Sequence, residues 1–140
     1  MRRFSATTRT AQDAAREIGT EVRRIVKSLV FIADGRPVIV LCSGQNRVSV
    51  KRLEDILRAR SVRRATADEA KAHTGFPIGG VPPFGHDRAL PVIVDETLTQ
   101  FDTVWAAAGL QDAVFEIAVG ELLRLTDGRR AAIATVPGME

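Results

Sequence analysis

The sequence predicts a mixed α/β domain, a barrel-like β-sheet with short helices packed outside. Three observations carry this. Two apolar runs at residues 25–33 and 38–42 flank Asp34-Gly35 and read as a β-hairpin. Short capped or amphipathic segments are scattered among further β-rich stretches without strict alternation. The densest glycines do not follow the first strand or open a helix, as a doubly wound nucleotide fold requires. With 140 residues, 45% hydrophobic and 26% charged, the chain is read as one domain over residues 1–140 with its own core.

The elements follow in order. Residues 1–9 hold no strong pattern, and the first dozen offer little to order them. Thr10 can cap a short helix ended by Gly19, with Ala11, Ala14, Ala15 and Ile18 on its packing face. The hairpin strands come next, apolar on both faces and therefore central in their sheet. A loop at 43–47 precedes an amphipathic helix from Ser49, with Val50, Leu53, Ile56 and Leu57 at helical spacing. A short strand is expected at 61–65. Thr66 and Glu69 form a capping box for a helix over 66–74. Beyond residue 91 the pattern predicts a strand at 91–95, a helical turn at 97–101 and strands at 104–108 and 113–118. A helix at 119–126 and a last strand at 131–136 complete it.

The stretch at 74–91, T-G-F-P-I-G-G-V-P-P-F-G-H-D-R-A-L-P, stands apart. It holds four of the eleven glycines and four of the six prolines, so it is neither helix interior nor central strand. Its apolar residues suit packing. The alternation of glycine and proline stiffens it while leaving the N–H groups of Gly79, Gly80 and Val81 bare. A stiff loop with bare N–H groups suits a carbonyl oxygen or a phosphate, and it also suits an ordinary connector.

Composition excludes several functions. No apolar run approaches a membrane span of roughly 20 residues, and residues 1–9 lack the apolar core of a secretory signal. One cysteine, Cys42, allows no internal disulfide, so a reducing cytoplasm is the expected location. His73, His86 and Cys42 share no ligand spacing, so neither a metal nor another cofactor is expected. Cys42 lies inside an apolar strand and reads as inert packing, there is no G-x-S-x-G, and Asp95-Glu96 is a poor acid–base pair. The net charge is +3, with 17 arginines beside three lysines, a balance that suits a phosphate-bearing partner or an ordinary surface.

Lys27 is conspicuous because this chain writes most cations as arginine, yet sets a lysine among Ile25, Leu29 and Phe31. It is either a stem snorkelling to water or a compact cation at a site mouth. His86, after Gly85 at the end of the loop, could hold a ligand group or move a proton. Asp95 ends the next strand, where it could bond nearby N–H groups. Phe31 is core or pocket wall.

The residues I-V-K-S-L-V-F with a following glycine turn, then T-G-F-x-I-G-G-V-P-P-F-G, L-P-V-I-V-D and A-A-G, resemble the YbaK/EbsC family over about residues 10–133. These are aminoacyl-tRNA deacylases related to the editing domain of bacterial prolyl-tRNA synthetases. The resemblance implies a YbaK-like fold and hydrolysis, in trans, of the ester joining a wrong, small amino acid to proline tRNA. It places the family's essential lysine on Lys27 and its G-x-x-x-P motif on Gly79, Gly80, Val81, Pro82 and Pro83. The following glycine falls on Gly85 and the aspartate after the loop on Asp95. Lys27 and the N–H groups of Gly79, Gly80 and Val81 would act on the ester. Phe31, Pro82, Pro83, Gly85, His86 and Asp95 would bound or bind the substrate. The implied partner is the aminoacylated 3′ end of tRNA, with no membrane; a homodimer is left open. The family's N-terminal strand is shortened or missing here. The alternative is a non-catalytic module that binds tRNA, a nucleotide or an amino acid in the same pocket.

Overall fold

The computed structural model describes residues 2–3, 10–76, 81–83, 90–107 and 113–135. The helices are α1 (Ala11–Ile18), α2 (Val50–Leu57), α3 (Ala67–Thr74) and α4 (Val119–Thr126). The strands are β1 (Arg2–Arg3), β2 (Val26–Ala33), β3 (Arg36–Ser43), β4 (Val62–Arg64), β5 (Val92–Asp95), β6 (Thr103–Ala107), β7 (Ala113–Ala118) and β8 (Arg129–Ala131). Short 3-10 turns span Val22–Arg24 and Glu96–Gln100.

Helix ends follow local chemistry. Thr10 caps α1 through the Asp13 N–H, and Ser49 caps α2 through that of Arg52. Thr66 and Glu69 form the reciprocal box at α3. Glu69 also holds Arg63 at 2.7 Å and 2.8 Å, and this pairing, with the Thr66 N–H, brings its carboxyl down to about 2. The hairpin turn has Asp34 at φ 48° and Gly35 at φ 82°, the type I′ geometry that matches strand twist. It sets Ala33 opposite Arg36 and thereby fixes the whole register, including Lys27 opposite Cys42.

The main sheet has the order β4-β2-β3-β5-β8, with β5 parallel to both neighbours and β2 antiparallel to both of its own. A second, antiparallel sheet runs β1-β7-β6. Among the described strands the sheets are bridged only at Ile25 and Trp105, in parallel, so these strands do not close into a barrel. Further along, the same edge of β2 is taken by β4, from Phe31 to Ala33.

Side chains alternate across the sheet and divide the core. Val26, Val30 and Ile32 join Ile39, Leu41 and Val94 on the face toward β6 and α4. Phe31, Val38, Val40 and Ile93 lie on the opposite face under Leu53 of α2 and Ile133. Each fully buried side chain of this size contributes about 1.5–3 kcal/mol. Ala14 and Ala15 of α1 pack on Ile25, as small residues permit.

Two differences from the sequence reading stand out. Arg2 and Arg3 form a strand, paired with Val114 and Ala113, because β7 offers a free edge that needs only backbone partners. The last strand lies at Arg129–Ala131 rather than 131–136, and Ala134 makes only a bridge to Val48. No described helix is long and apolar enough to cross a membrane.

Candidate functional site

The hairpin register and the parallel β3–β5 pairing set three polar residues in one transverse row. Lys27 lies opposite Cys42, and Cys42 is one step beyond the Leu41–Val94 pair, beside Asp95. The row ends the apolar face that carries Phe31, Val40 and Ile93.

Asp95 is 1% exposed, and its carboxylate is fully engaged. Oδ2 accepts from the Ser43 N–H at 3.0 Å and from the Asn46 amide at 2.9 Å, while Oδ1 accepts from the Thr97 N–H at 3.0 Å. Thr97 Oγ1 accepts a second bond from the Asn46 amide at 3.0 Å. Asn46 is thereby clamped, and its backbone carbonyl accepts the Lys27 ammonium at 2.5 Å. The far side of this loop is also fixed, since the Ser49 N–H donates to Ile133 and the Thr135 N–H to Arg47. Lys27 is thus held by a carbonyl that is itself held by a buried carboxylate.

Cys42 sits beneath this clamp. Burial pushes its thiol up to about 12; the Asp95 charge and hydrogen bond add to the rise, and Lys27 works against it. The thiol stays protonated and packs among Asp95, Asn46 and the Ser43 carbonyl at 3.5–3.7 Å, so it is no nucleophile.

Lys27 lies on the lip of a groove of about 750 Å³. The groove crosses the edge of β2. On one side stand the cations Lys27, Arg47 and Arg64; on the other, the walls are small and apolar, with Ala65, Ala70, Val81, Ala107 and Ala113. No carboxylate is among its described lining residues, so it suits a ligand with an anionic end and a small apolar end. Gly44 shapes one wall. A Cβ there would meet the Val22 carbonyl oxygen at 2.6 Å and the Ala11 Cβ at 2.9 Å, so only glycine lets α1 and the 3-10 turn approach. Arg24 ties that turn to β6 by bonds to the Thr103 carbonyl and hydroxyl. A smaller hollow of about 390 Å³ by the hairpin turn offers no such chemistry. Its Asp34 carboxylate is spent on the N–H groups of Arg60 and Ser61.

The residues expected from the sequence fall out as follows. Lys27 and Val81 line the groove. Pro82 and Pro83 are buried. Phe31 is 2% exposed, beneath the Arg64 guanidinium, and packs in the core rather than on the groove. Asp95 reaches Lys27 only through Asn46. Gly79, Gly80, Gly85 and His86 lie outside the described residues. Among the described residues no group of three or more metal-ligating side chains occurs. Sequence reasoning missed Asn46, because it acts on Lys27 through a backbone carbonyl that no residue type advertises. It also missed Arg64, whose place depends on its pairing opposite Phe31.

Comparison with known proteins gives this geometry its context. Residues 5–125 match the family described as the aminoacyl-tRNA editing domain. A proline–tRNA ligase of Lactobacillus helveticus is 36% identical over 107 residues, 76% of this chain and 19% of the ligase. The chain therefore spans about a fifth of that relative's length. The candidate Cys-tRNA(Pro)/Cys-tRNA(Cys) deacylase EbsC of Enterococcus faecalis is 29% identical over 126 residues, 89% of this chain and 77% of EbsC. A crystal structure of a candidate trans-editing enzyme for prolyl tRNA synthetase superposes with a TM-score of 0.92 at 41% identity, covering 96% of this chain and 85% of that one. The chain belongs to the aminoacyl-tRNA editing domain family.

Proposed function

We propose that this protein is a trans-acting deacylase that hydrolyses the ester of a mischarged tRNA, with a small amino acid on proline tRNA as its substrate. The observation that carries this is the clamped Lys27 at the lip of a groove that is cationic on one side and small and apolar on the other. An aminoacyl-tRNA 3′ end has the same two parts, a terminal phosphate and a small side chain, joined through ribose and an ester.

The reaction needs no protein nucleophile. Water adds to the ester carbonyl carbon and gives a tetrahedral oxyanion. The bond to the ribose oxygen then breaks, that oxygen takes a proton, and a free amino acid and tRNA leave. Catalysis reduces to positioning the water and ester and stabilising the oxyanion. Lys27 would hold the carbonyl or the terminal phosphate, held ready by Asn46. The N–H groups of Gly79, Gly80 and Val81 would serve the carbonyl, with Pro82 and Pro83 stiffening the loop. Alanine and valine walls would exclude large side chains, although one methylene discriminates by only about 1–3 kcal/mol. The cytoplasm, where tRNA is charged and used, would be its compartment.

The test is a panel of tRNAs charged with alanine, cysteine, serine or threonine. Release of at least one amino acid is expected. Lys27→Ala should lower kcat/KM by about 100-fold or more, the scale of losing one oxyanion or phosphate contact, with an unchanged melting temperature. Tight binding of uncharged tRNA without turnover on any of the four would instead identify a binding module.

A further inference from the structure

The edge of β2 has no described strand partner where it crosses the groove, and its backbone polarity is set by the hairpin. The Gly44 N–H donates to the Ile25 carbonyl, and Ala33 faces Arg36 across the two-residue turn, so the odd-numbered residues of β2 point their N–H and C=O groups at β3. The even-numbered ones point at the opposite edge, where the Ala65 N–H reaches the Val30 carbonyl and β4 continues from there. On the other side β6 makes one described bridge, at Ile25 just before β2. Between these contacts no described strand pairs with β2 on this edge, toward which the N–H and C=O of Ser28 point, while β3 pairs with it on the other. Its hydroxyl oxygen is also buried with no hydrogen-bond partner. Buried polar groups are rarely left so, and an unmet hydroxyl beside a stretch of edge that no described strand covers calls for a ligand.

We infer that this one-residue gap binds the aminoacyl group as though it were an added strand residue, a reading that rests on the deacylase function proposed above. In an antiparallel pair, two opposed residues exchange both of their backbone hydrogen bonds. The aminoacyl group has the same two ends. Its α-ammonium donates to the Ser28 carbonyl, and its ester carbonyl accepts from the Ser28 N–H. That N–H then stabilises the oxyanion as water attacks, in addition to donors expected of the loop.

Direction and charge agree. An antiparallel guest runs its carbonyl end toward the start of β2. The ribose and phosphate therefore leave the gap toward Lys27 and Arg47. Its side chain falls on the same face as that of Ser28, the side of Ala65, Ala70 and Val81, beside the unmet hydroxyl.

Two measurements test this. The first titrates isotope-labelled protein with the non-hydrolysable probe 3′-deoxy-3′-(L-serylamino)adenosine. The Ser28 amide resonance should shift, and its hydrogen exchange should slow by about tenfold or more. Saturation that moves Asn46 and Arg47 but leaves Ser28 exchange unchanged overturns the edge site. The second compares free and N-acetylated aminoacyl-tRNA of whichever amino acid is released. Acetylation removes the ammonium and should slow hydrolysis by about 30-fold or more. Equal rates reject the edge site while leaving the deacylase reading intact; no release from any charged tRNA, with no binding of the probe, rejects both.

Discussion

Asp95 shows how a residue can govern a site that it does not line. Its carboxylate satisfies two backbone N–H groups and the Asn46 amide, and the Asn46 carbonyl then holds Lys27. Asp95→Ala would leave those donors buried without an acceptor, at a cost of about 2–4 kcal/mol. Denaturant unfolding should register that loss. Deacylation should fall as well, even in the folded fraction, because Lys27 loses its fixed partner. A variant as stable as the parent would mean that water replaces the carboxylate. Cys42, in the same row, makes the opposite kind of prediction. With its thiol pushed up to about 12, the thiolate fraction at pH 8 is on the order of one in ten thousand. A thiol reagent should therefore leave the native protein untouched and label it only on unfolding. The shift also bears on stability. The unfolded thiol releases its proton from the ordinary value of 9.0, while the folded one keeps it. The contribution of Cys42 is therefore whole below pH 9.0 and is lost as pH rises toward about 12.

At the scale of elements, the groove depends on close approach between α1, the 3-10 turn at Val22–Arg24 and the end of β3. Gly44 lies at that junction, where an added methyl would strike backbone oxygen and another Cβ rather than a pliant side-chain tip. Gly44→Ala should cost about 1–3 kcal/mol by forcing these elements apart. It should also lower the melting temperature and weaken activity together, since the groove wall moves. A neutral effect would show that α1 can shift freely. Most elements were legible because their signals are local: Thr10, Ser49 and Thr66 are capping residues, and Asp34-Gly35 dictates one turn. Arg2–Arg3 and Arg129–Ala131 were not, because each is an edge strand defined by a neighbour's free backbone rather than by β-forming side chains. The site was legible only in part for the same reason. Lys27 is an odd residue in its sequence context, whereas the Asn46 carbonyl and the β2 edge at Ser28 exist only once strands are paired.

For the whole molecule, the sequence suggested closure and the described strands do not supply it. Two sheets bridged at Ile25 and Trp105 leave one interval of the β2 edge without a described strand partner, and the groove runs over that interval. A closed barrel would have sealed it. The consequence is a site whose cations and apolar walls lie on opposite faces of one strand, so that a ligand must straddle the edge to use both. Net charge alone, +3, says little about such a partner; its distribution says more, because Lys27, Arg47 and Arg64 face the groove with no carboxylate among the described lining. Each phosphate neutralised on a single strand contributes about 0.7 to the slope of log affinity against log salt. Replacing Arg47 and Arg64 together by alanine should reduce that slope for uncharged tRNA by about 1.4 and raise KM for charged tRNA at moderate salt. Lys27→Ala alone should change the slope by about half that amount if Lys27 contacts the phosphate, and not at all if it contacts only the ester carbonyl. Slopes that match the parent in the double variant would remove the 3′-terminal phosphates from this lip and leave the groove to the amino acid alone.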